Sequence, residues 1–360
     1  MDISKLIALT IFFLIPITIV ELWFYEVIAF GTLLTAILVF IVIFVIIPVI
    51  YRYSYVMQRN LLFLNFVSVP VDFENPQSQE LIGAQNYRVK SKDNVTIGVW
   101  HILPNRLALN KTLTSGKDTI EYLNHGEPIM IYLHGNSGNR GTAHRVHLYR
   151  ILQENNFHIV AFDYRSYGDS SYVEPTEEGV VADSRSVYHW VKEKSGSSNI
   201  FLWGHSLGTG ISSHLLDILE GEKENVSGIV LESPFNNMSD EIRHYPLARF
   251  FKYLPWFDYF FVEPVYENGF RFESDMHLSK VKSPIMILHA EDDIVVPLVL
   301  GEKLYEYIKN ARKESNIASP LKMHKFSKAD GLGHKYIYKS KQLTSFVLNF
   351  VSESLAYQQH

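Results

Sequence analysis

The chain predicts an α/β fold, a mostly parallel sheet covered by helices on both faces. Three observations carry this. From about Leu81 onward, short apolar runs alternate with longer runs whose apolar residues recur at helical spacing. Between one such pair lies Gly204-His205-Ser206-Leu207-Gly208, the mark of a tight strand-to-helix turn. Two charge-free stretches, Leu6 to Val20 and Val27 to Tyr51, stand apart at the N-terminus and belong to a different kind of structure.

Taken in order, the first stretch has fifteen residues and the second twenty-five. The second is long enough to cross a hydrocarbon core of roughly 30 Å as a helix. The first carries Pro16, which would kink it, and reads either as a second span or as a signal-like or interfacial segment. Trp23, Phe24 and Tyr25 before Glu26 have the composition of an interfacial belt. Lys5 before the stretches and Arg52 and Arg59 after them favour a cytosolic domain by the positive-inside count. The sequons at Asn94, Asn110, Asn225 and Asn237 favour a lumenal one slightly. Residues 1–51 are therefore read as a membrane anchor, with a helix near 27–51 and a second apolar segment at 6–25. Residues 52–80, with Pro70 and Pro76, read as a juxtamembrane linker whose Leu61 to Phe66 lie against the bilayer or the domain. Residues 81–357 are the folded domain.

Within that domain, Asn86 to Val89 and Val95 to Leu103 read as an antiparallel pair, and Asn105 to Glu127 as an insertion loop. Ile129 to Leu133 is a buried strand, followed by a helix from His144 to Asn155 and a strand from His158 to Phe162. Thr176 to Lys194 is a helix with Val180, Val187, Trp190 and Val191 inward. Asn199 to Trp203 is the strand before the turn, and Thr209 to Glu220 the helix after it. Val226 to Leu231, Ile285 to Leu288 and Leu321 to Phe326 are further strands. Leu298 to Lys309 and Leu343 to Leu355 are further helices. Between about 235 and 283 lies an insertion in the position of a cap, with twelve aromatic residues from Tyr245 to Phe272. About half suffice for a core of its own; the rest suggest an apolar acyl pocket or a face that touches membrane.

The chemistry follows from the turn. A serine flanked by glycines between strand and helix stands exposed above the sheet, with the N–H of Leu207 pointing into the same space. A serine nucleophile needs a base, and the base needs a carboxylate to orient it. In this chain order the acid comes next and the histidine last. Asp293, after the strand Ile285 to Leu288, is the first choice of acid, Asp292 its competitor and Glu232 a third. His334, in the loop Gly331-Leu332-Gly333-His334, is the histidine that the order requires. The second oxyanion donor belongs to the loop after Leu133, where Asn136 is placed for it. Arg140, Arg165 and Arg243 are candidates to meet a phosphate or carboxylate head group, and Trp256 is a candidate for the substrate pocket.

Composition removes several classes. With no cysteine, disulfides, thiolate catalysis, cysteine-held metal and S-palmitoylation are excluded. A net charge of −5 gives no reason for a nucleic-acid partner. The reading needs no metal and no organic cofactor.

Leu133-His134-Gly135-Asn136-Ser137-Gly138, the Asp163 to Ser170 loop, Gly204 to Gly210, Leu231-Glu232-Ser233-Pro234-Phe235, Leu288 to Pro297, and His334 to Ser340 together carry a resemblance. Over about residues 80–350, with a preceding transmembrane helix, the chain resembles the membrane-anchored lysophosphatidylserine lipases of the α/β-hydrolase-domain family. The resemblance implies an α/β-hydrolase fold with a cap insertion. It implies a serine hydrolase of the endoplasmic reticulum membrane with its domain in the lumen, acting on lysophospholipids and monoacylglycerols. By motif, the catalytic residues fall on Ser206, Asp293 and His334. Ser166 stands where relatives usually carry glycine. A thioesterase or an acyltransferase would use the same three groups, because acyl transfer to water or to another acceptor begins alike. A non-catalytic scaffold on this fold would be expected to have lost one of them.

Overall fold

A hairpin of two apolar helices leads the chain: α1 (Ile3–Phe24) and α2 (Phe30–Tyr53), both long and apolar enough to cross a membrane. The computed structural model describes residues 3–110, 118–246, 248 and 251–358. Pro16 lies inside α1 without ending it, and the middle of α2, Val42–Ile46, is wound as a π-helix. The first apolar stretch is thus a helix of the same class as the second. Neither buries much of itself: α1 has no buried residue, and α2 has Leu33 and Pro48.

The chain divides into two compact units. The first is residues 1–61 together with 242–271; the second is 62–241 together with 272–360. This departs from the domain boundaries expected above. Most of the aromatic insertion groups with the N-terminal helices, because its rings stack on theirs. Trp256 meets Phe12 edge-on at 5.1 Å between centroids, Phe251 meets Phe44 at 5.5 Å, and Tyr51 meets Phe261 at 5.3 Å. Phe250 lies outside the described residues.

The second unit is built on one eight-stranded sheet in the order β1-β2-β4-β3-β5-β6-β7-β8. β1 (Ala84–Lys90) and β2 (Thr96–Ile102) form an antiparallel pair, and β2 joins β4 (His158–Phe162) antiparallel. β3 (Ile129–Leu133) pairs parallel with β4 on one side and β5 (Ile200–His205) on the other, and β6 (Gly228–Glu232), β7 (Ile285–Ala290) and β8 (Leu321–Phe326) follow β5, each parallel to the one before. β3 to β7 are buried along their whole length, as unbroken apolar strands covered on both faces must be. Met130, Tyr132, Trp203, Val230 and Leu288 share one core with Tyr149 of α4 (Ala143–Glu154) and Phe350 of α8 (Leu343–Gln358). Their alternation with Ile131, Leu202 and Ile229 sends every second side chain to the other face. There α6 (Leu207–Gly221) packs on β3 and β5 and α5 (Glu177–Lys192) packs on α6. α7 (Leu298–Glu314) packs on β7.

The stretch read as a linker includes α3 (Tyr55–Phe63), and from Leu62 on it belongs to this body. The Phe63 carbonyl accepts from the Tyr167 hydroxyl, the Val67 carbonyl from the Gly138 N–H at 2.7 Å, and the Phe73 carbonyl from Trp100 Nε1 at 2.9 Å. A Pro-containing segment without periodicity gives no sequence sign of such bonds, because they use main-chain carbonyls that every residue has.

Candidate active site

The parallel strands end on one edge, and the residues singled out by sequence gather there. β5 ends at His205, and α6 begins at Leu207. Between them Ser206 has φ 53° and ψ −122°, a backbone state that costs a non-glycine residue about 1–3 kcal/mol. The neighbouring backbones leave no room to relieve it. A Cβ on Gly208 would collide with the Leu133 carbonyl, and one on Gly204 with the Gly208 carbonyl. The Ser206 N–H is held by the Glu232 carbonyl at 3.0 Å. Leu207 opens α6, so its N–H has no carbonyl one turn back to bond.

The loop after β3 lies against this turn: a Cβ on Gly135 would sit 3.2 Å from Ser206 Cβ. Two tyrosines hold its shape. Tyr164 donates to the His134 carbonyl at 3.1 Å, and the single Tyr167 hydroxyl proton is shared between the Phe63 carbonyl and the Asn136 carbonyl, the latter at 3.0 Å. Burial keeps His134 far below the ordinary imidazole range, so the ring is neutral.

On the next strands, Asp293 follows β7 and His334 follows β8. His334 Nδ1 and Asp293 Oδ2 are hydrogen-bonded at 2.8 Å. The other Asp293 oxygen accepts the N–H groups of Val295 and Val296 at 2.9 Å each. Burial alone would raise this carboxyl, but the His334 hydrogen bond and charge, His289 and the Val296 N–H together hold it below its usual range. The His334 carbonyl accepts from His205 Nε2 at 2.9 Å, which ties the histidine loop to the residue before Ser206. Asp292 bonds the Gly333 N–H at 2.9 Å and so orients the loop rather than the imidazole. Glu232 is buried, accepts Trp203 Nε1 at 2.8 Å, and is pushed up to about 7 by burial, with Asp293 adding to it. Glu241 is pushed up to about 8 by burial and by Asp293. Of these acids Asp293 is the one held as an anion beside a histidine. The links through His205 and Gly333 were not read from sequence. A residue flanking a nucleophile carries no pattern that says its ring bonds a loop 129 positions away.

The head-group candidates are corrected. Arg140 is fully buried, with Asp163 at 2.6 Å, Asp169 at 2.5 Å and Asn86 at 2.9 Å. Arg165 takes Asp183 in a two-pronged pair at 2.9 and 2.8 Å. Arg243 donates to Asp258 at 3.1 Å. The Arg140 and Arg165 guanidiniums are spent on buried carboxylates, since a buried cation without one is costly, whereas the Arg243 pair is exposed on both sides. Trp256 packs on Phe12, in the unit of the N-terminal helices. Ser166, at the glycine position, has φ 66°, and its hydroxyl donates to the Val173 carbonyl at 2.6 Å. The turn still takes the left-handed backbone that glycine would favour.

Of the sequon asparagines, Asn94, Asn110 and Asn225 are exposed, while residues 111 and 112 lie outside the described residues. Asn237 is corrected as a candidate. Its amide donates to Asp275 at 2.8 Å and its oxygen accepts the Asp240 N–H at 2.9 Å, so it is occupied at a helix start.

A cluster apart from the catalytic candidates could hold a cation: ligand atoms of Glu177, His214 and His277 lie within 4.8 Å of one another. The two imidazoles are stacked at 4.0 Å, His214 bonds Glu177 at 3.0 Å and His277 bonds Asp217 at 2.9 Å.

Residues 128–277 match the family model of the alpha/beta hydrolase fold. Lysophosphatidylserine lipase ABHD12 of Rattus norvegicus is 39% identical over 330 residues, covering 88% of this chain and 79% of that one. Lysophosphatidylserine lipase ABHD12 of Danio rerio is 38% identical over 86% of this chain and 81% of that one. Protein ABHD12B of Homo sapiens is 36% identical over 81% and 80%. Among solved structures, the esterase Pf2001 of Pyrococcus furiosus superposes with a TM-score of 0.57 at 19% identity, covering 80% of this chain and 96% of that one. Lipase-named relatives on this fold make the chain a carboxylic-ester hydrolase.

Proposed function

We propose that this chain, which belongs to the lysophosphatidylserine lipase family of α/β-hydrolases, is a membrane-bound serine hydrolase. It cleaves the acyl ester of lysophospholipids, lysophosphatidylserine among them, and of monoacylglycerols. Ser206 Oγ attacks the ester carbonyl, and His334 takes its proton and returns it to the leaving alcohol. Asp293 holds the imidazole through Nδ1 and stabilises its charged form. The N–H groups of Leu207 and Asn136 receive the developing oxyanion. Water repeats the sequence on the acyl-enzyme.

The observation that carries this reading is the 2.8 Å bond from the histidine loop to a carboxylate held ionised, tied by His205 to a strained serine turn. Among the described residues, Ser166, Ser206 and Ser233 are the serines with positive φ, and Ser206 is the one that follows His205, whose ring bonds the His334 carbonyl. The test is labelling of membrane fractions with a fluorophosphonate probe, wild type beside Ser206→Ala, followed by turnover of lysophosphatidylserine and monoacylglycerol. Label and lipid turnover lost together in the variant support it. Wild-type turnover by Ser206→Ala overturns it.

The two apolar helices support anchoring in a membrane, and an even number of crossings would leave residues 3 and 54 on the same side. We place the domain in the lumen of the endoplasmic reticulum, where Asn94, Asn110 and Asn225 would be open to glycosylation. A mobility shift on glycosidase treatment, lost when those three are changed to glutamine, checks the orientation; an unshifted wild type refutes it.

A further inference from the structure

The described residues of 242–271 do not distribute their side chains at random along α1 and α2. Arg52, at the end of α2, meets Glu267 at 3.0 Å and Glu263 at 3.9 Å and lies 4.4 Å from the centre of the Tyr259 ring. Close by in sequence, Gln58 accepts from the Asn268 amide at 2.6 Å. The polar part of the insertion is therefore matched to the polar end of the hairpin. Its aromatic part is matched to the apolar middle: Trp256 to Phe12, and Phe251 to Phe44. Phe12 also touches Phe40 and Phe44, which sets the two helices in register.

That register gives a depth. Phe12 is seven residues from Lys5 and Phe44 is eight from Arg52, the cations nearest in sequence to each. At about 1.5 Å per residue both rings lie roughly 10–12 Å below those cations. One leaflet's hydrocarbon is about 15 Å thick. We infer that residues 251–257 form a re-entrant element that enters the lipid beside α1 and α2 and brings Phe251 and Trp256 to acyl-chain depth.

Two further features suit that place. Irregular backbone survives in hydrocarbon only when its polar groups are bonded internally. Here the N–H groups of Phe251 and Lys252 bond Ala248, that of Leu254 bonds Phe251, and that of Phe257 bonds Leu254, at 2.8–3.0 Å. The contact also uses π-turns on both sides: Phe44 sits in Val42–Ile46, while Tyr259 and Phe261 sit in Asp258–Val262. A π-turn rotates the side chains that follow it out of the regular stripe, as such turns often do at functional places. Lys252 is the one charge among residues 251–257, and its flexible stem can carry the ammonium back toward phosphate level.

The inference rests on the reading of α1 and α2 as a membrane anchor, and the experiment separates the two. The native chain has no cysteine, so Phe12→Cys, Trp256→Cys and Tyr259→Cys each give one labelling site in the full-length protein. Each is labelled with an environment-sensitive maleimide dye in phosphatidylcholine vesicles. Quenching by phospholipid brominated at mid-chain is compared with quenching by aqueous iodide. The label at 256 is expected to match the one at 12 within about twofold in bromine quenching, with the one at 259 shallower. A label at 12 quenched by bromine beside one at 256 quenched by iodide overturns the inference and leaves the anchor standing. A label at 12 open to iodide overturns both. The unlabelled chain supplies a check free of the cysteine changes: the fluorescence difference between wild type and Trp256→Phe is expected to be blue-shifted and bromine-quenched, and a red, iodide-quenched difference overturns the inference.

Discussion

Arg140 and Arg52 are the same side chain under two regimes. Arg140 is fully buried in the catalytic body and held by two aspartates and an asparagine. Arg52 ends an apolar helix and faces two glutamates whose side chains are more than half exposed. In the body, apolar strands are hidden and cations are enclosed by carboxylates. In the anchor unit α1 buries nothing, and the ion pairs of α2 sit at its end, on Arg52. The first is the pattern of a chain folding in water and the second of a chain folding against lipid.

The largest effect that sharpens this contrast is on chemistry, which it assigns to the body. Ser206→Ala is expected to lower ester turnover by at least three orders of magnitude with membrane attachment kept, read by single-turnover kinetics on washed vesicles. Detachment from the vesicles would break the separation. Next comes Arg140→Ala, which leaves Asp163 buried without its cation. It is expected to cost about 3–5 kcal/mol and lower the melting temperature by roughly 10 °C. Glu232→Gln is smaller and depends on pH. Burial holds the Glu232 carboxyl up to about 7 when folded, against about 4.3 in an unfolded chain. Between those values the native state binds more protons, so wild-type stability falls as pH rises. The variant lacks that loss and should gain on wild type by up to roughly 3 kcal/mol between pH 5 and pH 8. A melting difference constant across that range would show that Glu232 ionises normally. Arg52→Ala should be smallest, below about 1 kcal/mol. Calorimetry should place its melting within 2–3 °C of wild type. A loss as large as that of Arg140→Ala would erase the distinction.

Legibility followed the same division. The body could be read because local pattern and chain order coincide. Ile129–Leu133 and His158–Phe162 end where their apolar runs end. Ser206, Asp293 and His334 come in the order that successive strand ends impose. The arginines' partners were not legible because a guanidinium in sequence says nothing of its partner, and Asp163 and Asp183 are fixed by tertiary packing. The insertion's attachment to α1 and α2 was illegible for a related reason. Its deciding contacts, such as Arg52 with Glu267, join positions 215 apart, beyond the reach of any periodicity.

That spacing also sets a timetable. The hairpin leaves the ribosome before the insertion, and the rings that meet Phe44 and Phe12 follow them by 207 and 244 positions. At about 5–20 residues per second, Phe12 waits roughly 10–50 seconds for Trp256. Through that interval lipid, or an insertase chaperone, has to occupy the seam. Residues 62–241 meanwhile begin folding before the remaining parallel strands, β7 and β8, have been made. Slowing translation between codons 62 and 242 should therefore lengthen the exposure of the seam to membrane quality control without changing a single contact of the finished protein.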